Sequence, residues 1–188
     1  RACGEEDAVT RLGADVGGLV GCPDAELFAA WMELGALQPF FRNHSAKEAC
    51  RREPWLFGPA IEARARKAVE RRYRLLPYLY TLFQESSQTG VPVMPTMVLE
   101  YPNDPATYGV DNAYLLGRDL LVAPRLAAAV APYRVTLPAA DWYDTETLEL
   151  LPGGARDVPA SATESVRLFA RAGAMIPEGP VAQNTSRP

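Results

Sequence analysis

The segment PDAELFAAWMELGALQPFFRNHS, residues 23–45, joins an apolar helical stretch to a buried segment that ends in polar residues. Pro23 and Asp24 precede the helix, expected over 25–37, in which Leu27, Phe28, Trp31, Leu34 and Gly35 recur at spacings of three and four. That period places them on one half-buried face. Gly35 leaves room for close approach to a neighbour. Leu37 to Ser45 reads as a short buried strand. A polar cluster such as Arg42-Asn43-His44-Ser45 directly after an apolar segment is what a barrel strand presents at its C-terminal mouth. Arginine and histidine donors there suit a polyhydroxylated ligand in a partly dry pocket. Taken alone, His44 also fits a satisfied structural histidine.

Downstream, Gly58-Pro59 opens a long helix, with Pro in the first turn and Glu62 near the positive end. Ile61, Ala65, Ala68, Val69, Arg72, Tyr73 and Leu76 form its stripe. Pro77 is expected to kink or split this helix. The second part runs from Tyr78 to Ser87, and Gly90 suits a C′ stop. The run Arg64-Ala65-Arg66-Lys67, with Arg71-Arg72, reads as a solvated helix face.

Near residue 90 the punctuation changes. Val93 to Leu99 looks extended, and Tyr101-Pro102-Asn103-Asp104-Pro105 is a turn cluster. Tyr114 to Ala123 reads as two strands around Gly117. Tyr133, Val135 and Leu137 alternate with polar residues, as a half-buried strand does. Trp142-Tyr143-Asp144 and Val166 to Ala170 are two further strands, with Gly153-Gly154 expected as a turn between them. Short strands at this spacing predict a small antiparallel sandwich. The end of the chain, 183–188, is polar and reads as disordered.

Composition narrows the function classes. Hydrophobic residues make up 48% of the 188 and charged residues 22%, which are globular proportions. The net charge is −4 and no basic stripe exists, so no nucleic-acid partner is expected. No apolar run reaches the ~18 residues of a membrane helix. The three cysteines, Cys3, Cys22 and Cys50, are widely spaced without C-x-x-C, so neither a disulfide framework nor a zinc site is expected. With His44 the sole histidine, a histidine-rich metal site is excluded, and no cofactor is expected.

Two other segments carry polar chemistry. Gly13-Ala14-Asp15-Val16-Gly17-Gly18 lacks the spacing of a phosphate loop. Its aspartate is either a turn former or a carboxylate displayed beside glycines that leave room for a ligand. Arg51-Arg52-Glu53-Pro54-Trp55-Leu56-Phe57-Gly58 reads as an ion pair plus an aromatic plug, with substrate contact as the alternative. The sequon at Asn43 is read as accidental because glycosylation needs an exposed loop, and that at Asn184 as more accessible.

Together these stretches resemble glycoside hydrolase family 31, whose members are mostly α-glucosidases. The matching segments are GADVGG at 13–18, PDAELFAAWMELGALQPFFRNHS at 23–45 and RREPWLFG at 51–58. They continue with RRYRLLPYLYTLFQESSQTGVPVM at 71–94, LLGRDLLVAP at 115–124, WYD at 142–144 and VRLFARAGAMIP at 166–177. Their joint order and spacing carry the resemblance.

The resemblance implies an α/β plus β fold. Residues 1–95 would be the C-terminal end of a (β/α)8 TIM barrel, 96–178 a small antiparallel β-sandwich domain, and 179–188 a tail. It implies a retaining α-glycosidase that hydrolyses α-glucosidic bonds of an α-glucoside or oligosaccharide. His44 matches the histidine that contacts sugar hydroxyls, Arg42 the arginine that frames that pocket, and Asp15 the aspartate at its edge.

The family's two catalytic aspartates stand in WxDMNE-like and GDN-like motifs, and neither motif occurs in this sequence. No catalytic residue is therefore assigned, the chain is expected to be inactive alone, and an N-terminal part of the same enzyme is its expected partner. A non-catalytic module is the alternative, either sugar-binding through Tyr133, Trp142 and Tyr143 or purely packing. Leu19 stands where the family usually has an aromatic. The resemblance fades before Gly13, where 5–12 lack the expected apolar strand, which points to a truncated or misassembled gene product. A partial barrel exposes strand edges and apolar helix faces. The isolated chain is accordingly expected to oligomerise, and a sharp monomer peak in gel filtration with cooperative melting contradicts this.

Overall fold

A computed structural model describes residues 13–125, 131–161 and 164–182. The polar end at 183–188, the Asn184 sequon, Cys3 and the segment 5–12 lie outside the described residues.

Helix α1 spans Ala25–Gly35, and the Asp24 side chain caps it by accepting from Leu27 N at 2.8 Å. Its buried face is Phe28, Ala29, Met32, Glu33 and Gly35. This face is rotated from the expected one. Leu27 is 48% exposed, because a helix apolar on most sides does not fix its own orientation. Gly35 does permit a close approach: a Cβ there would lie 2.7 Å from Val16 Cγ2.

A 3₁₀ turn, Pro54–Phe57, stacks Phe57 on Phe28 at 4.5 Å and leads into α2, Pro59–Arg74. The long helix splits as expected. It breaks at Leu75, and α3, Leu76–Thr89, restarts with Pro77 in its first turn. Gly90 ends it in the left-handed region at φ 75°. The stretch expected to be extended, 93–99, instead enters a helical turn, α4, Met97–Glu100. Thr96, extended at ψ 152°, starts this turn, and Met97 is buried in the core beyond.

Five strands follow: β1 Tyr114–Leu116, β2 Leu120–Pro124, β3 Tyr133–Asp144, β4 Leu150–Val158 and β5 Val166–Arg171. They form one antiparallel sheet in the order β1-β2-β5-β3-β4. β2 is buried throughout because both its faces are covered. Leu120 and Val122 join the core against α3, while Leu121 and Ala123 join a second core around Trp142 and Phe169. Val135, Leu137 and Val158 also enter the second core, so one face of the sheet packs into a small β domain.

The segments at 133–137 and 142–144 are one strand, β3, with a register shift between Leu137 and Asp141. Gly153-Gly154 is not a turn but the part of β4 that passes this irregularity. A Cβ on Gly153 would lie 2.6 Å from Pro138 O, so the bulge itself demands the glycine. The β3–β4 turn falls at 145–149, where Asp144 Oδ1 accepts from the amides of Glu146 and Thr147.

The basic run on α2 is not a solvated face. Buried Glu33 of α1 accepts from Arg64 Nε at 2.8 Å through Oε1 and from Ser165 N at 2.6 Å through Oε2. Arg64 also reaches Glu26 at 2.7 Å and Ser165 Oγ at 3.1 Å. Lys67 and Arg71 both hold Glu164. Arg72 donates to the carbonyls of Ala36, Gln38 and Pro39 at 3.1, 2.6 and 2.9 Å. Arg66 matches the solvated reading, with an exposed i,i+4 pair to Glu62.

Removing Glu33 leaves the Arg64 charge with the exposed Glu26 carboxylate and Ser165 Oγ, and leaves the Ser165 amide without its partner. Glu33→Ala is expected to cost about 3–5 kcal/mol in urea unfolding, the range for breaking a buried pair from one side.

Burial opposes ionisation of Glu164, but Lys67 and Arg71 outweigh it and hold its pKa below the usual carboxylate range. Asp144 behaves alike: burial raises its pKa, while Arg167 and the Glu146 and Thr147 amides lower it further. Folded values below unfolded ones mean stability that is present above the unfolded pKa and lost as pH falls through the folded pKa. The urea midpoint is expected to hold above about pH 5 and to drop below about pH 4. Glu164→Gln should flatten that drop while lowering the neutral-pH midpoint.

Candidate functional site

Asp15 and Arg42 stand side by side. They form an isolated parallel β-bridge, Val16 N donates to Arg42 O at 3.0 Å, and Arg42 Nε donates to Asp15 Oδ1 at 2.5 Å. The expected buried strand over 37–45 reduces to this one bridge among the described residues. Pro39 offers no ladder donor, and the 36–39 carbonyls turn to the Arg72 guanidinium instead. Arg42 is half exposed in its side chain and also lies 5.4 Å from the Phe40 ring centroid.

His44 is exposed two residues on, and no hydrogen bond joins it to Asp15 or Arg42 among the described residues. Two of the three residues are thus already paired, and the third stands exposed two positions along the chain from Arg42. A carboxylate acceptor, guanidinium donors and an imidazole suit the hydroxyls of a sugar. Two clefts among the described residues do not include them. One lies between α3 and the β1–β2 hairpin, and the other lies beside Trp55 and Tyr73.

The loops carrying these residues, 13–22 and 41–52, are sewn together by contacts that sequence reasoning missed. Arg52 is buried, and its guanidinium donates to Gly18 O, to Gly21 O at 3.1 Å and to Cys50 O at 3.4 Å. Asn43 Nδ2 donates to Arg52 O at 2.9 Å, and Ala46 N donates to Leu19 O at 2.8 Å. The Asn43 side chain is exposed, contrary to expectation, but the nitrogen that glycosylation would use is in that hydrogen bond.

Cys22 and Cys50 form a disulfide with Cα atoms 5.2 Å apart, against the expectation of none. An odd count and a separation of 28 residues carry no pairing signal. The doublet Arg51-Arg52 divides its work: Arg51 pairs with Glu53 at 2.6 Å on the surface, while Arg52 turns inward.

The aromatics considered for sugar binding on the β domain are mostly internal. Trp142 is fully buried with Nε1 donating to Pro138 O, and the Tyr133 hydroxyl donates to Ala123 O. Of the three, Tyr143 alone is exposed. No group of three His, Cys, Asp or Glu side chains is placed to hold a metal among the described residues. No helix of the described residues is long and apolar enough to cross a membrane.

Residues 8–82 match the family model "Glycosyl hydrolases family 31 TIM-barrel domain", and 90–176 match "Glycosyl hydrolase family 31 C-terminal domain". The chain belongs to glycoside hydrolase family 31. The match begins at residue 8, upstream of Gly13, where the motif reading had lost the resemblance. Mouse neutral alpha-glucosidase C is 42% identical over 171 residues, covering 90% of this chain. Alpha-glucosidase 2 of Bacillus thermoamyloliquefaciens is 38% identical over 180 residues, covering 96% of it. The chain spans 19% and 23% of the lengths of these two relatives. A family 31 dextranase of Flavobacterium johnsoniae, solved with glucose, superposes with a TM-score of 0.86 at 33% identity, over 95% of this chain and 22% of that one. The family 31 chain described here is thus a barrel end followed by the antiparallel C-terminal domain.

Proposed function

We propose that this chain supplies the sugar-facing C-terminal part of a retaining α-glycosidase acting on α-glucosidic bonds. The division of labour is a barrel end at 1–95, a buttressing β domain at 96–178 and a tail at 179–188. Asp15, Arg42 and His44 contact the substrate's hydroxyls. The observation that carries this reading is the pairing of Asp15 with Arg42 across two loops, beside exposed His44, in a chain matched along both family domains.

Double displacement needs a nucleophile and an acid/base carboxyl about 5–5.5 Å apart. Neither family motif for them occurs in the 188 residues, so both come from a segment outside this sequence. The chain's own part is to fix the glycone. The Asp15 carboxylate accepts from sugar hydroxyls, Arg42 donates to their oxygens, and His44 donates or accepts through its ring nitrogens. Buried Trp142 and partly buried Tyr133, each hydrogen-bonded to backbone, favour packing over sugar binding as the role of the β domain.

The chain alone is expected to release no aglycone from an aryl α-glucoside above blank. Co-expression with a family member's segment carrying the WxDMNE-like and GDN-like aspartates is expected to restore release. In that pairing, Arg42→Ala and His44→Ala should each lower kcat/KM about tenfold, the loss of one hydrogen bond to a substrate hydroxyl. The Arg42–Asp15 pair is half exposed, so Arg42→Ala should change the unfolding free energy of the isolated chain by under about 1 kcal/mol. Turnover by the chain alone would overturn the division of labour.

A further inference from the structure

We propose that Arg52 and the Cys22–Cys50 disulfide form a two-part lock that positions the sugar-facing loops, and that the disulfide is its reducible half. The proposal rests on the sugar-site reading only for its consequence, not for the lock itself. Both loops begin at the Asp15–Arg42 bridge and end at a cysteine or beside it. The disulfide closes the far end of the loop pair, and both half-cystines are exposed to solvent. Exposed disulfides are the ones open to thiol exchange.

Arg52 works from inside the same loop pair. Its side chain holds the Gly18 and Gly21 carbonyls of the first loop, and its own carbonyl receives Asn43 Nδ2, next to His44 in the second. A rigid planar fork can span two carbonyls, whereas a lysine ammonium is a point donor on a flexible stem. Arg52 therefore keeps the loops together in either redox state, and the disulfide adds a covalent limit to how far they part. With the disulfide opened, the ladder between the loops is one bridge and one further amide bond, Ala46 N to Leu19 O.

The reductant is a dithiol. One of its thiolates attacks a sulfur of the Cys22–Cys50 bond, which breaks and releases the other cysteine as a thiol after protonation. The second dithiol sulfur then resolves the mixed disulfide. The dithiol is oxidised by two electrons, and Cys22 and Cys50 end as two thiols.

Hydrogen exchange read by mass spectrometry on the full 188-residue chain tests this, with thiol alkylation counting the redox state. The oxidised chain should take one label when unfolded and three after dithiol. Reduction should speed exchange in 13–22 and 41–52 by about tenfold or more while α2 and α3 keep their protection. Cys22→Ser with Cys50→Ser should reproduce the reduced pattern and ignore dithiol. Oxidised Arg52→Met should show intermediate exchange in both loops, Arg52→Lys less than Arg52→Met, and reduced Arg52→Met the fastest. Three free thiols in the untreated chain, or loop exchange unchanged by dithiol, would overturn the lock. Loop exchange in oxidised Arg52→Met equal to the unsubstituted chain would overturn the part given to Arg52. Maltotriose in excess should slow loop exchange in the oxidised chain more than in the reduced one. No slowing in either state overturns the sugar-site consequence alone, because the redox comparison uses no sugar.

Discussion

The buried Glu33 carboxylate is the interaction on which the arrangement of this chain depends. Each oxygen has one partner, Arg64 on α2 for Oε1 and the Ser165 amide before β5 for Oε2. A carboxylate removed from water is tolerable only when its lone pairs are met, and here the two partners come from two separate segments. The hydrophobic contacts of α1 leave its rotation loosely defined, as the misassigned stripe shows. Glu33 fixes it, because only one rotation aims its side chain at both Arg64 and Ser165. Lys67 and Arg71 on Glu164 repeat the device one turn further along α2. Area-based attraction brings the layers together, and the charged hydrogen bonds select the register.

That fixed rotation governs the side that carries Asp15 and Arg42. With Glu33 inward, Gly35 faces Val16 and Phe41, where a side chain would not fit. Val16 follows Asp15 and Phe41 precedes Arg42, so the close approach of α1 seats the two paired residues. Arg72 completes the seat by capping three carbonyls of the segment that leads to Phe40. Burial lowers the Arg72 pKa, but a guanidinium remains charged, so the three carbonyls keep a cationic donor.

Much of this was legible in the sequence, and the failures have physical causes. Pro77 and Gly90 act through local backbone geometry, so their effects on α2 and α3 could be read without a fold. Strand alternation at 133–137 was legible for the same reason. Gly153-Gly154 misled because a glycine pair marks either a turn or a bulge, and only the position of Pro138 across the ladder decides. The basic run misled because charge periodicity reports a face, not what meets that face. Glu164 and Ser165 lie about a hundred residues away, beyond any periodicity window. Cys22 and Cys50 carry no local signal at all. Their pairing follows from two loops brought together by a bridge at 15 and 42. At the site, residue types indicated which side chains could serve a sugar, but the Arg52 support depends on a side chain turned away from its neighbour Arg51.

The way the site is held also bears on what this chain can and cannot do. A complete barrel positions residues at its mouth through continuous parallel ladders. Among the described residues the ladder here is one bridge, and position is set instead by side chains reaching backbone carbonyls and by one covalent link. Such support fixes a residue relative to its neighbouring loop rather than to the far side of a barrel. Hydroxyl recognition needs only the first, because the donors and acceptors act within a few ångströms of each other. Bond cleavage needs the second, since two carboxylates must flank one anomeric carbon at a set separation. The contacts within 13–52 therefore account for a pair of loops that keeps its own geometry, which is what the proposed hydroxyl recognition requires and what bond cleavage would not find sufficient.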